Sequence, residues 1–211
     1  MGVGRPRGFD LDEAVQQAMQ VFWTQGYDNT SIADLTQAMG INAPSLYAAF
    51  GSKEGLFKAV LDRYSAKCLS HLDDALRAPT ARETVKRLLA FASQLYVEDH
   101  EQRGCLLLQA NLNCAQRSLA DELMRRRGRF ESVLRERFEK AVQAGDLPPS
   151  TDLCSLARYI VSVLTGMGVQ AVAGASQADL EAIASVALMA FPEAPQGEKA
   201  EPALASSEHG S

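Results

Sequence analysis

Nothing in this chain alternates apolar and polar residues for long; its apolar residues recur at three- and four-residue spacing almost from end to end. That period belongs to helices with one buried face, so the fold class is all-α. The breaks between periodic segments carry helix-end chemistry. Asp10 with Glu13 reads as a capping box ahead of Leu11, Val15, Ala18, Met19 and Phe22, and Gly26 stops that helix. Thr30 or Ser31 caps a second helix with Ile32, Leu35 and Met39 inward. Gly40 turns the chain, Asn42 caps a third helix, and Pro44 falls in its first turn, where a missing N–H costs nothing. Leu46 and Phe50 anchor this third helix. Ser52 opens a fourth that runs to about Arg77, roughly 40 Å long.

Further helices are expected at Thr80 to about Glu98, then over about 105–116, 118–144, 152–173 and 177–191, about nine in all. From Pro192 the sequence has no periodic face, and 192–211 is expected to be a disordered tail. With 211 residues and 46 % apolar composition the chain can bury one or two cores. The expected division is a flexible basic arm over 1–8, a unit over 9–51, and a larger helical unit over 52–191 whose first helix, 52–77, connects the two.

The net charge is −5 and the pI near 5.3, so the chain as a whole has no basic balance, and any nucleic-acid binding must come from a local patch. Cys68, Cys105, Cys114 and Cys154 form no CxxC pair, and the histidines are His71, His100 and His209. That fits neither a zinc site nor a disulfide framework. No metal and no cofactor is expected. Neither an apolar segment behind the amino-terminal arginines nor a run approaching 18 apolar residues occurs. The expectation is a cytoplasmic protein with reduced thiols and no membrane span.

The stretch SIADLTQAMGINAPSLYAAF, residues 31–50, breaks one short helix at Gly40 and starts another at once. A helix pair with a tight turn is a corner of many α domains that bind no DNA. Two features favour a DNA-reading corner. GRPRG, residues 4–8, puts Arg5 and Arg7 on an arm that can reach phosphates or a minor groove; otherwise it is a frayed terminus. The third helix exposes Ala43, Ser45, Tyr47 and Ala48, which are small or hydrogen-bonding, unlike a solvated Glu/Lys face.

TSIADLTQAMGINAPSLYAAFGSKEGLFKAVL resembles the DNA-binding domain of TetR-family transcriptional regulators. The resemblance covers about residues 9–64 and keeps Thr30, Ile32, Leu35, Gly40, Ser45, Leu46, Tyr47, Phe50, Lys53 and Leu56 in register. Less specifically, LTGMGVQAVAGASQADLEAIASVALMAF looks like the closing helices of many members, whereas about 80–150 matches loosely. The resemblance implies a helix-turn-helix DNA-binding domain followed by a larger domain that dimerises and holds an effector. By position, Thr30 and Ser31 would contact phosphate. Asn42, Ala43, Pro44, Ser45 and Tyr47 would lie on or just before the recognition helix, and Lys53 would hold a phosphate. LYAAF stands where many members have LYYHF, so Ala48 and Ala49 lack an aromatic and a histidine. Residues 1–64 hold five basic side chains against seven acids, a formal −2, so the phosphate-facing surface depends on a few placed cations, helix N-termini and the arm.

Toward the carboxy terminus, the helix from Leu153 has two apolar faces, one with Ala157, Ile160, Val161 and Gly168, the other with Leu156, Val163 and Met167. It is either wrapped by its own neighbours or paired with a second chain. The resemblance selects a homodimer through about 152–173 and 177–191, and two-fold symmetry then implies a palindromic double-stranded operator. An effector pocket is expected among the helices of about 83–98, 105–116, 118–144 and 152–171. Arg127 falls at about 80° from Leu119 at about 100° per residue, inside the apolar stripe; it must snorkel, pair with an acid or meet an anionic ligand.

Cys105 follows Arg103 and Gly104 at a helix start and shares a face with Leu108, Gln109 and Leu112. It is either a core cysteine or a thiol whose reactivity the helix end and the guanidinium enhance. RGCLL is similar to the pattern of TetR-type regulators that sense electrophiles or oxidants. Cys114 lies about half a turn away, so a Cys105–Cys114 bond requires unwinding. The leading expectation is a repressor released by a small ligand or by cysteine modification. Its rival is a helical carrier or enzyme without DNA binding, for which the sequence offers no nucleophile elbow, phosphate loop or acid/base pair.

Overall fold

The computed structural model describes residues 9–100, 102–113 and 116–193, except the side chains of 109 and 111–113. The arm with Arg5 and Arg7, Cys114, the Gln109 side chain and the tail from 194 onward lie outside the described residues.

Among the described residues there are nine helices and no strand. They are α1 Leu11–Asn29, α2 Ile32–Met39, α3 Ala43–Phe50, α4 Lys53–Leu76, α5 Ala81–Leu95, α6 Leu106–Asn113, α7 Arg117–Gln143, α8 Leu153–Val172 and α9 Gln177–Met189. The expected caps hold most of the ends. Asp10 Oδ1 accepts from the Asp12 and Glu13 amides, Ser31 and Asp34 form a full capping box, and Asn42 accepts from the Ser45 amide. One end differs from the sequence reading. Gly26 does break α1, with φ 75°, but one more turn follows the kink. That turn carries Tyr27 into the core, stacked on Phe22 at 6.0 Å and tilted against Phe57 at 5.0 Å.

Two cores form. The amino-terminal one gathers Ala18, Phe22, Leu35, Leu46, Leu56, Phe57 and Leu61 from α1–α4, and it continues into Leu106 and Ala110 of α6 and Leu119 and Leu123 of α7. The carboxy-terminal one joins Leu72 and Ala75 of α4 to α5, the second half of α7, α8 and α9, through residues such as Val85, Leu89, Phe138, Ile160, Met167 and Phe191. Thus α4 and α7 each run from one core into the other.

This explains a correction. Arg127 is exposed, and the half-buried arginine is Arg126. Leu119, Leu123, Arg126 and Phe130 point near 0°, whereas Leu134 and Phe138 point to about 60° and 100°, because the buried face drifts where α7 changes partners. Arg127, at about 80°, matches the second face but sits beside the first. The guanidinium of Arg126 binds Glu122 at 2.8 Å, Asp62 of α4 at 2.5 Å and Ser65 Oγ at 3.2 Å. Arg125 and Arg126 lower the Glu122 carboxyl below its usual range.

Residues of both apolar faces of α8, Ile160 and Met167 among them, are fully buried within this chain. The outward apolar residues are Tyr159, Val169 and Val172 of α8 with Val186 and Met189 of α9, the last 75 % exposed. The α8 helix is by length and composition apolar enough to cross a membrane, with a mean hydropathy of 1.2. Its inner face is taken by α5, α7 and α9, leaving the outer strip as a surface for another protein.

Candidate nucleic-acid interface

The α2–α3 corner is rigid because each short helix is closed locally. Gly40 ends α2 in the left-handed conformation, with its amide and that of Ile41 bonded back to the Gln37 and Thr36 carbonyls. Leu35 and Leu46 are fully buried and fix the pair on α1 and α4. This leaves Asn42, Pro44, Tyr47 and Ala48 exposed along one side of α3, with Ala43 and Ser45 half-buried behind them. Tyr47 is 48 % exposed. Small residues beside a projecting phenol suit close approach to base edges and a phosphate.

The sequence-derived phosphate contacts divide. Ser31 is exposed at the α2 N-terminus, its hydroxyl bonded within the capping box. Thr30 is only 2 % exposed, and its hydroxyl donates inward to the Gly26 carbonyl at 2.7 Å. A phosphate contact through that hydroxyl is therefore excluded: it closes the kink in α1. Lys53 is half-buried. Its ammonium donates to the Tyr27 and Thr30 carbonyls, both at 2.7 Å, and lies 4.4 Å from the centre of the Tyr27 ring. It thus ties the start of α4 to the carbonyl end of α1, where a cation is favoured. Of its three donors, one remains for an anion.

The sequence reading missed Gly55. A Cβ at that position would stand 2.0 Å from the Phe50 carbonyl oxygen. Only glycine lets the first turn of α4 pass so close to the end of α3, and this contact sets the angle of α3. The signal was present in SKEG but cannot be told from any other glycine without the fold.

Three polar contacts tie the helices that hold the corner to the rest of the molecule. Glu54 of α4 accepts from Gln116 at 2.7 Å, and Arg126 bridges α7 to Asp62. The indole N–H of Trp23 donates to the Arg103 carbonyl at 3.1 Å. The Arg103 guanidinium reaches the end of α8, bonding the Ala171 carbonyl at 2.7 Å and the Ala175 carbonyl. Arg103 thereby caps α8 rather than serving only its neighbour Cys105.

Cys105 is half-buried just before α6 and packs against both cores, as does Leu95. The region expected to hold an effector lies among α5, α6, α7 and α8; of that region, the part between α5, α7 and α8 is packed by Leu88, Leu89, Phe138, Ile160 and Met167. A groove of about 680 Å³ instead opens between α1 and α4, lined by Met19, Ala59, Tyr64 and Lys67 among others. Arg127 lines neither that groove nor either core.

Two family models match the chain. Residues 14–60 match the model of bacterial regulatory proteins of the tetR family, and residues 81–186 match that of the tetracyclin repressor-like C-terminal domain. The HTH-type transcriptional repressor ComR of Escherichia coli (strain K12) is 34 % identical over 90 % of this chain and 92 % of its own length. BdcR, a repressor of the same organism, is 40 % identical over 50 % of this chain and 54 % of its own. A cysteine mutant of the TetR-family regulator CifR, solved with 26bp double-strand operator DNA, is 43 % identical, with a TM-score of 0.83 over 89 % of this chain and 100 % of that one. The chain belongs to the tetR family of bacterial regulatory proteins and is a transcriptional regulator, not an enzyme.

Proposed function

We propose that this regulator is a cytoplasmic repressor that binds a palindromic double-stranded operator as a homodimer and is released by a small ligand or by modification of Cys105. The division is a DNA-binding unit over 9–51 and an effector and dimerisation unit over 52–191. The observation that carries the reading is the rigid, exposed α3 face of Asn42, Pro44, Tyr47 and Ala48 in a chain 43 % identical to an operator-bound regulator. Ala43 and Ser45 back that face, and Ser31, the remaining Lys53 donor and the arm residues Arg5 and Arg7 meet phosphates. The dimer forms through α8 and α9, whose outward Val169, Val172, Val186 and Met189 supply an apolar surface. Two recognition helices then fall on successive major grooves.

The test is an anisotropy titration against duplex from the protein's own upstream region and from a selection of random duplexes, at two salt concentrations. Specific binding that weakens steeply with salt is expected, and deletion of residues 1–8 lowers affinity at fixed salt. Failure to select any preferred duplex would reject the reading. Unchanged affinity after the deletion would reject the arm.

A further inference from the structure

The sulfur expected to act alone has a second thiol beside it. Cys68 lies one helical turn after Tyr64 on α4, so both side chains share a face. That face meets the segment entering α6: Cys68, Cys105 and Leu107 all pack on the same amino-terminal core. Tyr64 packs edge-on against Trp23 at 5.4 Å, and Trp23 is bonded to the Arg103 carbonyl two residues before Cys105. From the other side α8 closes in, since a Cβ on Gly168 would lie 3.7 Å from both the Cys105 Cβ and the Tyr96 ring. Two thiols and two phenols from α4, α5 and the start of α6 therefore share one small space under α8.

One member of this cluster is incomplete. The Tyr64 hydroxyl is buried, in a residue 4 % exposed, and the polar groups it meets are the Cys68 and Cys105 thiols, with no oxygen or nitrogen acceptor in reach. Thiol sulfur is a weak acceptor, so a buried hydroxyl facing only thiols lacks a strong partner in the reduced site. Oxidation of a neighbouring sulfur supplies one, because a sulfenic acid oxygen accepts hydrogen bonds.

We propose that a hydroperoxide closes a disulfide between Cys68 and Cys105 within one chain, fastening α4 to the start of α6. The proposal rests on the reading of Cys105 as the sensor and adds its chemistry. The Cys105 sulfur attacks the outer peroxide oxygen, the O–O bond breaks, and the departing alkoxide takes the thiol proton to leave as alcohol. The Cys105 sulfenic acid so formed faces the Tyr64 hydroxyl. The Cys68 sulfur then attacks the Cys105 sulfur; the S–S bond forms, the S–O bond breaks, and hydroxide leaves with the Cys68 proton as water. Two thiols lose two electrons and one peroxide gains them. Burial, reinforced by the Cys105 thiol, pushes Cys68 up to about 12, so Cys68 resolves rather than initiates. Because α4 begins at Lys53 beside the recognition helix, a new bond at Cys68 acts on the element that sets the angle of α3.

The full-length protein is treated with hydrogen peroxide, its remaining thiols are blocked under denaturing conditions, and its peptides are mapped by mass spectrometry. The expected product joins the Cys68 and Cys105 peptides and runs as a monomer on a non-reducing gel. In Cys68→Ala, which keeps a small apolar side chain at the site, the Cys105 sulfenic acid persists and is trapped by dimedone; in Cys105→Ser, Cys68 stays a thiol. Pairing of Cys105 with Cys114, Cys154 or a second chain would overturn the proposal, as would dimedone capture in wild type equal to that in Cys68→Ala. Operator affinity is read in parallel. Release by about tenfold or more with the Cys68–Cys105 link supports both statements. The link without release upholds the disulfide and rejects the sensor reading. Release by peroxide without the link rejects the disulfide and keeps the sensor.

Discussion

In the corner made by α2 and α3, each helix start is held by a side chain three residues from its bonding partner: Ser31 for α2, Asn42 for α3, Ser52 for α4. Around Cys105 the ends are held from far away. Trp23 reaches the Arg103 carbonyl across 80 positions, and Arg103 reaches the end of α8 across 68 and 72. The corner is a preassembled reader whose geometry depends on local chemistry. The seam depends on the two cores being docked, so its geometry is set by contacts between distant parts of the chain. The difference teaches where local and where long-range contacts set the geometry of one chain.

The largest effect should come from breaking the corner's single close approach. Gly55→Ala drives a methyl into the Phe50 carbonyl, and a loss of about 3 kcal/mol in urea unfolding is expected, with operator binding lost even where the chain still folds. Next is the seam. Arg103→Met removes the guanidinium bonds to the Ala171 and Ala175 carbonyls and should cost about 2 kcal/mol. Hydrogen exchange should rise at the end of α8 and at Trp23 while α2 and α3 keep their protection; equal loss in both regions would contradict the contrast.

A smaller loss, about 1 kcal/mol, is expected for Asn42→Ala, which removes the α3 cap. It should raise exchange in α3 and leave the seam unchanged. The smallest effect is on acid stability. Hydrogen bonds from the Ser31 side chain and amide lower the Asp34 carboxyl below its ordinary 3.8, and Ser176 does the same for Asp179. A carboxyl lowered in the folded state adds stability that is complete above pH 3.8 and fades as pH falls through its folded value. Helicity followed in acid should show Asp34→Asn flattening the loss below that pH at α2 alone.

Much of the corner was legible in the residues themselves. Caps, the Gly40 turn and the buried Leu35 and Leu46 follow from short-range spacing, and all occur where the sequence places them. Thr30 and Lys53 were assigned outward roles from position, but the kink at Gly26 supplies carbonyls that both side chains bind. Arg127 was misplaced because one angular origin was applied along a helix whose buried face drifts between two cores. Which side of α8 is covered within the chain was not legible, because periodicity marks what is apolar, not which neighbour covers it.

The sequence by itself determined the nine helices of the described residues, most of their ends and the α2–α3 corner, since helix propensity, capping and turn formation act over a few residues. Only the tertiary structure decided that Gly55 must be bare, that Arg126 rather than Arg127 is half-buried and paired, and that Cys68 stands beside Cys105. The Gly55 contact reaches back only five positions but depends on the angle at which α3 meets α4, and the other two join residues 64 and 37 positions apart, which leave no periodic trace in the chain.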